Sequence, residues 1–362
     1  MRAISILCLL LILAYVGNLL FETHRLNAMY KASMAAMPGS TAYAIQLFKP
    51  SSDIDSAETF GAAARVKRKW VEALINTAIS NVCKKSFTVQ DADNVVAALK
   101  ELSATKLLTP TQRVAAHQKI FDAIRALPLG LEKNGFLPDF DESVKFLQRL
   151  RNDAVLDNSL LTRLEETIAQ AQAIDRYPIA LRTVTFETTT AMHNGLSYMH
   201  LATPTAPGVV HVPMTTDSSQ WDAITAERCF DETYSKLTEF RKQWSRPLPP
   251  QLERLVPISV FDSAILQFGY AVLSKRKDGT WNIYLSFKPA TDAGEFEIRS
   301  TYLMGIRNKL GSAKANAGLL PANDPAAKAF SGLLPVVEQG VNRLSPGGDI
   351  APLGIQQLAI LY

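Results

Sequence analysis

Three histidines, His193, His200 and His211, fall within nineteen residues and are followed by Asp217. Imidazole and carboxylate are the usual ligands of zinc or iron, so this set is the chain's candidate metal centre. The spacing fits no ligand signature, however, and alternation along strands need not point three rings the same way. Ordinary half-exposed histidines are the plainer expectation, with no metal and no cofactor. Ser197 and Ser218 beside them raise a Ser-His-Asp reading. No Gly-x-Ser-x-Gly elbow accompanies them, and Asn194-Gly195 reads first as a turn. No residue is therefore assigned a catalytic role.

Other reactive patterns weaken in the same way. Gln90-Asp91-Ala92-Asp93-Asn94 alternates carboxylates like part of a calcium loop, but it lacks the sixth-position glycine and the closing glutamate, so it reads as a helix start. Of the three cysteines, Cys8 lies in an apolar run. At most one intramolecular disulfide, Cys83–Cys229, is then open to the rest of the chain. Nothing in the spacing predicts it. Cys83 lies on an apolar helical stripe beside Lys84 and Lys85 and reads as core, so two buried free thiols are the expectation. Walker and Gly-x-Gly-x-x-Gly loops are both missing, which removes the common nucleotide-binding readings.

Charge points the same way. The net charge of +4 is spread over 38 basic and 34 acidic residues, too balanced for a nucleic-acid binder. The densest basic cluster, Arg65 with Lys67-Arg68-Lys69, lies in a helical pattern and reads as a solvated face. Lys275-Arg276-Lys277 falls beside a turn. The segment Pro247–Pro250 reads as a rigid elbow.

What would position these residues begins with Ala3 to Phe21, a nearly unbroken apolar run. About nineteen residues at roughly 1.5 Å each make close to 30 Å of helix, the thickness of a bilayer's hydrocarbon core. The run exceeds a secretory h-region and no small-x-small cleavage box follows promptly, so it reads as a retained anchor that partners the lipid bilayer. With two residues ahead of the span, the simplest insertion leaves the N-terminus cytoplasmic and the bulk exported or lumenal. The basic bias across the span is weak. No Asn-x-Ser/Thr site occurs.

The expected organisation has four parts. Residues 1–36 are the transmembrane anchor and juxtamembrane helix, and 37–55 a linker with a short strand at Thr41 to Phe48. Residues 56–176 are a helical domain of five helices, with Thr88 capping one and Thr109-Pro110 opening the next. From 177 to 362 the periodicity switches to alternation. Ala180 to Thr190, Leu196 to Leu201 and Gly208 to Val212 read as strands, and Ser218 to Trp244 as a long amphipathic helix. Asp278-Gly279 is the hairpin turn between Leu266–Lys275 and Thr280–Lys288. The apolar end, Ile355 to Tyr362, reads as a docked final strand or a partner contact. The fold class expected is thus α+β: a single N-terminal transmembrane helix, a helical domain, and a mostly antiparallel β-sheet domain with a long packed helix. The function expected is that of a bitopic, single-pass membrane protein displaying a non-enzymatic domain as a structural subunit of a membrane complex, with protein partners and no nucleic acid. The alternative is a membrane-tethered hydrolase or metal-dependent enzyme using the 193–217 segment.

Overall fold

The apolar opening belongs to one long helix, α1 (Arg2–Ala36), in a computed structural model that describes residues 2–52, 62–198, 209–213, 223–272, 274–275, 281–282, 293–343 and 357–361. Contacts divide the chain into two compact units, Met1–Ala180 and Leu181–Tyr362.

In the first unit α1 changes character along its length. Leu9 to Leu13 are exposed, as are Leu20 and Phe21, whereas Leu26 and Ser33 are buried. By length and composition α1 is able to cross a membrane. A turn at 37–40 returns the chain as α2 (Thr41–Ser52), held to α1 where Ser33 Oγ donates to the Ala44 carbonyl at 2.7 Å. The expected strand at Thr41 to Phe48 is therefore helix. Thr41, Ala44, Ile45 and Phe48 recur at helical spacing and are the buried positions.

Five helices follow: α3 (Ala62–Val82), α4 (Val89–Ala104), α5 (Pro110–Asn134), α6 (Leu137–Asn152) and α7 (Leu161–Ala173). Thr88 caps α4 through a reciprocal box with Asp91, and Thr109 caps α5 with Gln112, ahead of Pro110 in the first turn. The helix over Pro110 runs on through Pro128 to Asn134. Trp70 stacks on Phe48 at 4.5 Å and its indole N–H donates to Ser33 Oγ at 3.0 Å, locking α1, α2 and α3 together.

The unit boundary falls inside α8 (Arg176–Tyr198). The second unit then comprises β1 (Val209–Pro213), α9 (Ala223–Gln243), α10 (Pro250–Glu253), α11 (Leu255–Val272), β2 (Ser274–Lys275), β3 (Trp281–Asn282), α12 (Ala293–Ala315), α13 (Pro325–Arg343) and β4 (Gln357–Leu361). Its axis is α11, buried continuously from Val256 to Leu266 and packed by α9, α12, α13 and β4. A helix apolar on all sides can only be a core element or a membrane span, and α11 is core.

This overturns the α+β expectation. Both units are predominantly helical. Among the described residues the strands form only two antiparallel pairs, β1 with β4 and the two-residue β2 with β3. The β-like run Ala180 to Thr190 lies within α8, where Ala180, Val184, Thr188 and Ala191 recur at helical spacing as buried positions, and its threonine hydroxyls are satisfied along the helix. Thr185 Oγ1 donates to the Leu181 carbonyl at 2.7 Å and Thr188 Oγ1 to that of Val184 at 2.6 Å. Leu196 to Tyr198 is helix as well, and the rest of that expected strand lies outside the described residues. Asn194-Gly195 is no turn either: a β-carbon on Gly195 would come within 2.7 Å of the Phe230 ring, so the glycine permits close packing of α8 on α9. Leu266 to Val272 belongs to α11, not to a hairpin arm. The ladder that follows is confined to Ser274↔Asn282 and Lys275↔Trp281, with the Asp278-Gly279 turn outside the described residues. The apolar end does dock, with Leu361 opposite Val209 and Gln357 opposite Pro213.

Candidate functional site

The residues singled out from sequence are dispersed. His193 is exposed on α8, and His211 sits on β1 opposite Ala359. His200, Asp217 and Ser218 lie outside the described residues, and no group of three metal-ligating side chains forms among those described. Cys83 and Cys229 are free thiols. Cys83 is exposed, not core, because α3 ends at Val82 and the apolar stripe ends with it. Cys229 is half-buried on α9. Beside Cys83 an open groove of about 670 Å³ runs between the end of α3 and the segment of α5 around Leu127 and Gly130. Its floor is aliphatic, and Lys84 at its rim is held by Asp91. Nothing polar converges on its centre, so the groove carries no evident chemistry.

The strongest assembly of polar groups was not foreseen. It lies in the second unit, where α9 supplies Glu227 and Asp231, α11 supplies Ser263 and α12 supplies Lys309. The lysine Nζ donates to Glu227 Oε1 at 2.5 Å, Asp231 Oδ2 at 2.7 Å and Ser263 Oγ at 2.7 Å. Ser263 Oγ in turn donates to Asp231 Oδ1 at 2.6 Å. Two carboxylates one turn apart repel on an isolated helix, so this Glu-x-x-x-Asp spacing beside the buried Phe230 signals a cation between them.

A serine hydroxyl within reach of a lysine amine is the geometry of a nucleophile and its base, but the bonding here works against that chemistry. All three ammonium donors are engaged, and the serine gives its proton to Asp231 rather than to the amine. Ser263 is fully buried in mid-helix, where the surrounding backbone N–H groups serve the helix and none is free as an oxyanion donor. The cluster therefore joins three helices by closing their charges on one another.

One residue away, about 100° round the helix, Asp262 faces the C-terminal strand. It is fully buried, and the Leu361 N–H donates to its Oδ1 at 2.6 Å. Its Oδ2 has no hydrogen-bond partner among the described residues. Burial pushes this carboxyl well above the ordinary carboxylate range, and the single bond from Leu361 only partly offsets it. Asp262 is the only charged residue in Leu255–Val272, a signal the sequence did display.

Among the buried titratable groups of the first unit, which include Lys67 and Asp91, His117 lies in mid-helix on α5. Asp157 N–H donates to its Nδ1 at 3.2 Å, which leaves the proton on Nε2, facing Ser103 Oγ at 3.3 Å. Burial lowers its pKa, against an opposing pull from Asp157.

No protein-family model, no curated protein and no solved structure matches the chain. Function has to be argued from these sites alone.

Proposed function

We propose that the chain is a single-pass membrane protein in which α1 anchors a non-enzymatic helical body that serves as a subunit of a membrane-associated assembly. The observation that carries this is the outer surface of α1. From Leu9 to Phe21 it exposes leucine, isoleucine, tyrosine and phenylalanine, with Leu11 at 61% and Phe21 at 64%. About 25 cal/mol per Å² of such surface makes exposure to water costly and lipid the favourable surrounding. Beyond Phe21 the same helix enters the packed core at Leu26. The charge-closed Lys309 cluster supports a non-catalytic body.

Flotation with liposomes and extraction at high pH test the anchor. Protein that leaves the membrane in carbonate would sink the reading. Light scattering of detergent-solubilised chain tests the assembly: a mass well above one chain plus its micelle is expected, and a clean monomer counts against it. The N-terminus is placed in the cytoplasm with the bulk exported. Protease protection in sealed vesicles checks that placement, because Arg25 and Lys31 just beyond the span weigh against export.

A further inference from the structure

The basic residues of α3 acquire a location from the way α1, α2 and α3 pack. The Ser33–Ala44 bond and the turn at 37–40 make α1 and α2 an antiparallel pair. Trp70 meets that pair at Ser33 and Phe48. At the far end, Thr41 N–H donates to Asn94 Oδ1 near the start of α4, and α4 follows α3 after a short connection at 83–88. The C-terminal end of α3 therefore lies beside the turn, away from the apolar stretch of α1, and its N-terminal end points back towards that stretch.

Distances along the helices follow. Ser33 is twelve residues beyond Phe21, about 18 Å at 1.5 Å per residue. Arg65 precedes Trp70 by five residues, about 7.5 Å nearer the apolar stretch. Its Cα then stands roughly 10 Å from the level of Phe21, and that of Arg68 roughly 15 Å. A headgroup layer reaches about 5–8 Å beyond the hydrocarbon, and charge is felt over a further Debye length of about 8 Å. Arg65 and Arg68 are exposed within that reach, as are Arg25 and Lys31 on α1, and exposed Lys69 stands at its edge, about 16.5 Å from the level of Phe21. Glu72 is the only acidic residue of α3. Cations in the first turns of a helix also oppose its dipole, so α3 on its own gains nothing from carrying them there.

The geometry points to a basic collar of Arg25, Lys31, Arg65, Arg68 and Lys69 that docks the first unit onto anionic lipid headgroups of the bilayer that α1 enters. This rests on the anchor reading above. The continuity of α1 into the core leaves no flexible linker, so the collar is presented at a set height. Each guanidinium or ammonium there offers charge-assisted donors to lipid phosphates.

The test uses the full chain in liposomes carrying a trace of dansyl-labelled phosphatidylglycerol or dansyl-labelled phosphatidylcholine, with energy transfer from tryptophan as the readout. Transfer to the anionic probe is expected to be at least about twofold above that to the zwitterionic one at low salt. The ratio should fall towards one in 0.5 M salt, and in an Arg65→Gln, Arg68→Gln, Lys69→Gln variant. An Arg65→Lys, Arg68→Lys, Lys69→Arg variant keeps the charge and should keep the ratio, which separates loss of charge from loss of folding. A ratio of one in wild-type chain that floats with the liposomes overturns the collar and leaves the anchor standing. A high ratio untouched by the glutamine variant overturns it equally. Chain that fails to float at all removes the anchor, and the collar with it.

Discussion

The two units are built from the same element, the amphipathic or apolar helix, but they place their polar groups differently. In the first, the helix starts are closed locally by Thr88 with Asp91, Thr109 with Gln112, and Asp157, whose side chain accepts from Ser159 N–H, beside a few long-range bonds such as those of Asn94 and His117. In the second, polar residues sit in mid-helix on faces turned towards other helices, as Asp262, Ser263, Glu227 and Lys309 do. End groups are satisfied by backbone a few residues away. The Lys309 cluster and Asp262 are satisfied by partners 32 to 99 residues distant, so these groups depend on the second unit's tertiary arrangement.

The largest effect should come from breaking the mid-helix network. Lys309→Met leaves Glu227 and Asp231 facing each other without their cation. Removing one partner of a buried ion pair costs about 3–5 kcal/mol, and the exposure of Asp231 puts this case near about 3. Amide exchange in α11 should accelerate accordingly, while α5 stays protected. Adding Glu227→Gln and Asp231→Asn should restore most of the loss. Unchanged exchange in α11 would mean that the cluster does not hold the unit together.

Next is Asp262. Its folded-state pKa is raised above the unfolded value, so the unfolded chain gives up this proton first. Stability is whole below the ordinary carboxylate range and declines as pH rises from there towards the raised value, by at most about 1.4 kcal/mol per pH unit. Asp262→Asn keeps an acceptor for Leu361 N–H and removes the ionisation. Protection at Ile360 and Leu361, measured against the intrinsic exchange rate at each pH, should be independent of pH in the variant and fall with rising pH in the wild type. Equal profiles would refute the raised pKa.

This contrast explains what the sequence displayed. Thr88-x-x-Asp91 and Thr109-Pro110 announce helix starts because a cap acts over three residues. The apolar stretch to Phe21 announces itself by length. By contrast, the threonines of α8 look strand-forming until their hydroxyls are seen bonding to carbonyls four residues back. Of the Lys309 cluster a local window shows only Glu227 and Asp231 one turn apart on α9; Ser263 and Lys309 come from two other helices. Asp262 is a lone charge in an apolar run, a signal masked by the alternating pattern beginning at Leu266, which favours a strand. Gly195 marked a close approach to Phe230, which no neighbouring residue encodes.

In the first unit His117 supplies the opposite pH response. Burial lowers its pKa, so the unfolded chain binds the proton more readily, and stability is lost as pH falls below about 6.5 towards the lowered value. His117→Asn keeps an acceptor in the place of Nδ1 and does not titrate. Between pH 6.5 and 4.5, protection of the α5 amides, measured against the intrinsic exchange rate at each pH, should fall with acid in the wild type only. The two units should therefore drift in opposite directions across that window, the second gaining slightly as the first loses. A common drift would show that one transition governs both.

The smallest effect belongs to a helix end. Thr88→Ala removes the hydroxyl that accepts from Asp91 N–H, leaving the first turn of α4 with one more unsatisfied donor. The expected cost is about 1 kcal/mol. Asp91 would still hold Thr88's backbone N–H, at 3.0 Å in the intact box, and Lys84. Burial pushes Asp91 up, but those bonds outweigh it and keep its pKa below the ordinary value, so it remains ionised and stabilising at neutral pH. Thr88→Ser should restore the loss because the hydroxyl returns. The change should appear as faster exchange confined to the start of α4 and absent from α11, since a cap acts on its own turn. If Thr88→Ala instead loosened the first unit as deeply as Lys309→Met loosens the second, the ends of its helices would be as cooperative as the mid-helix contacts, and the distinction between local and tertiary satisfaction would fail.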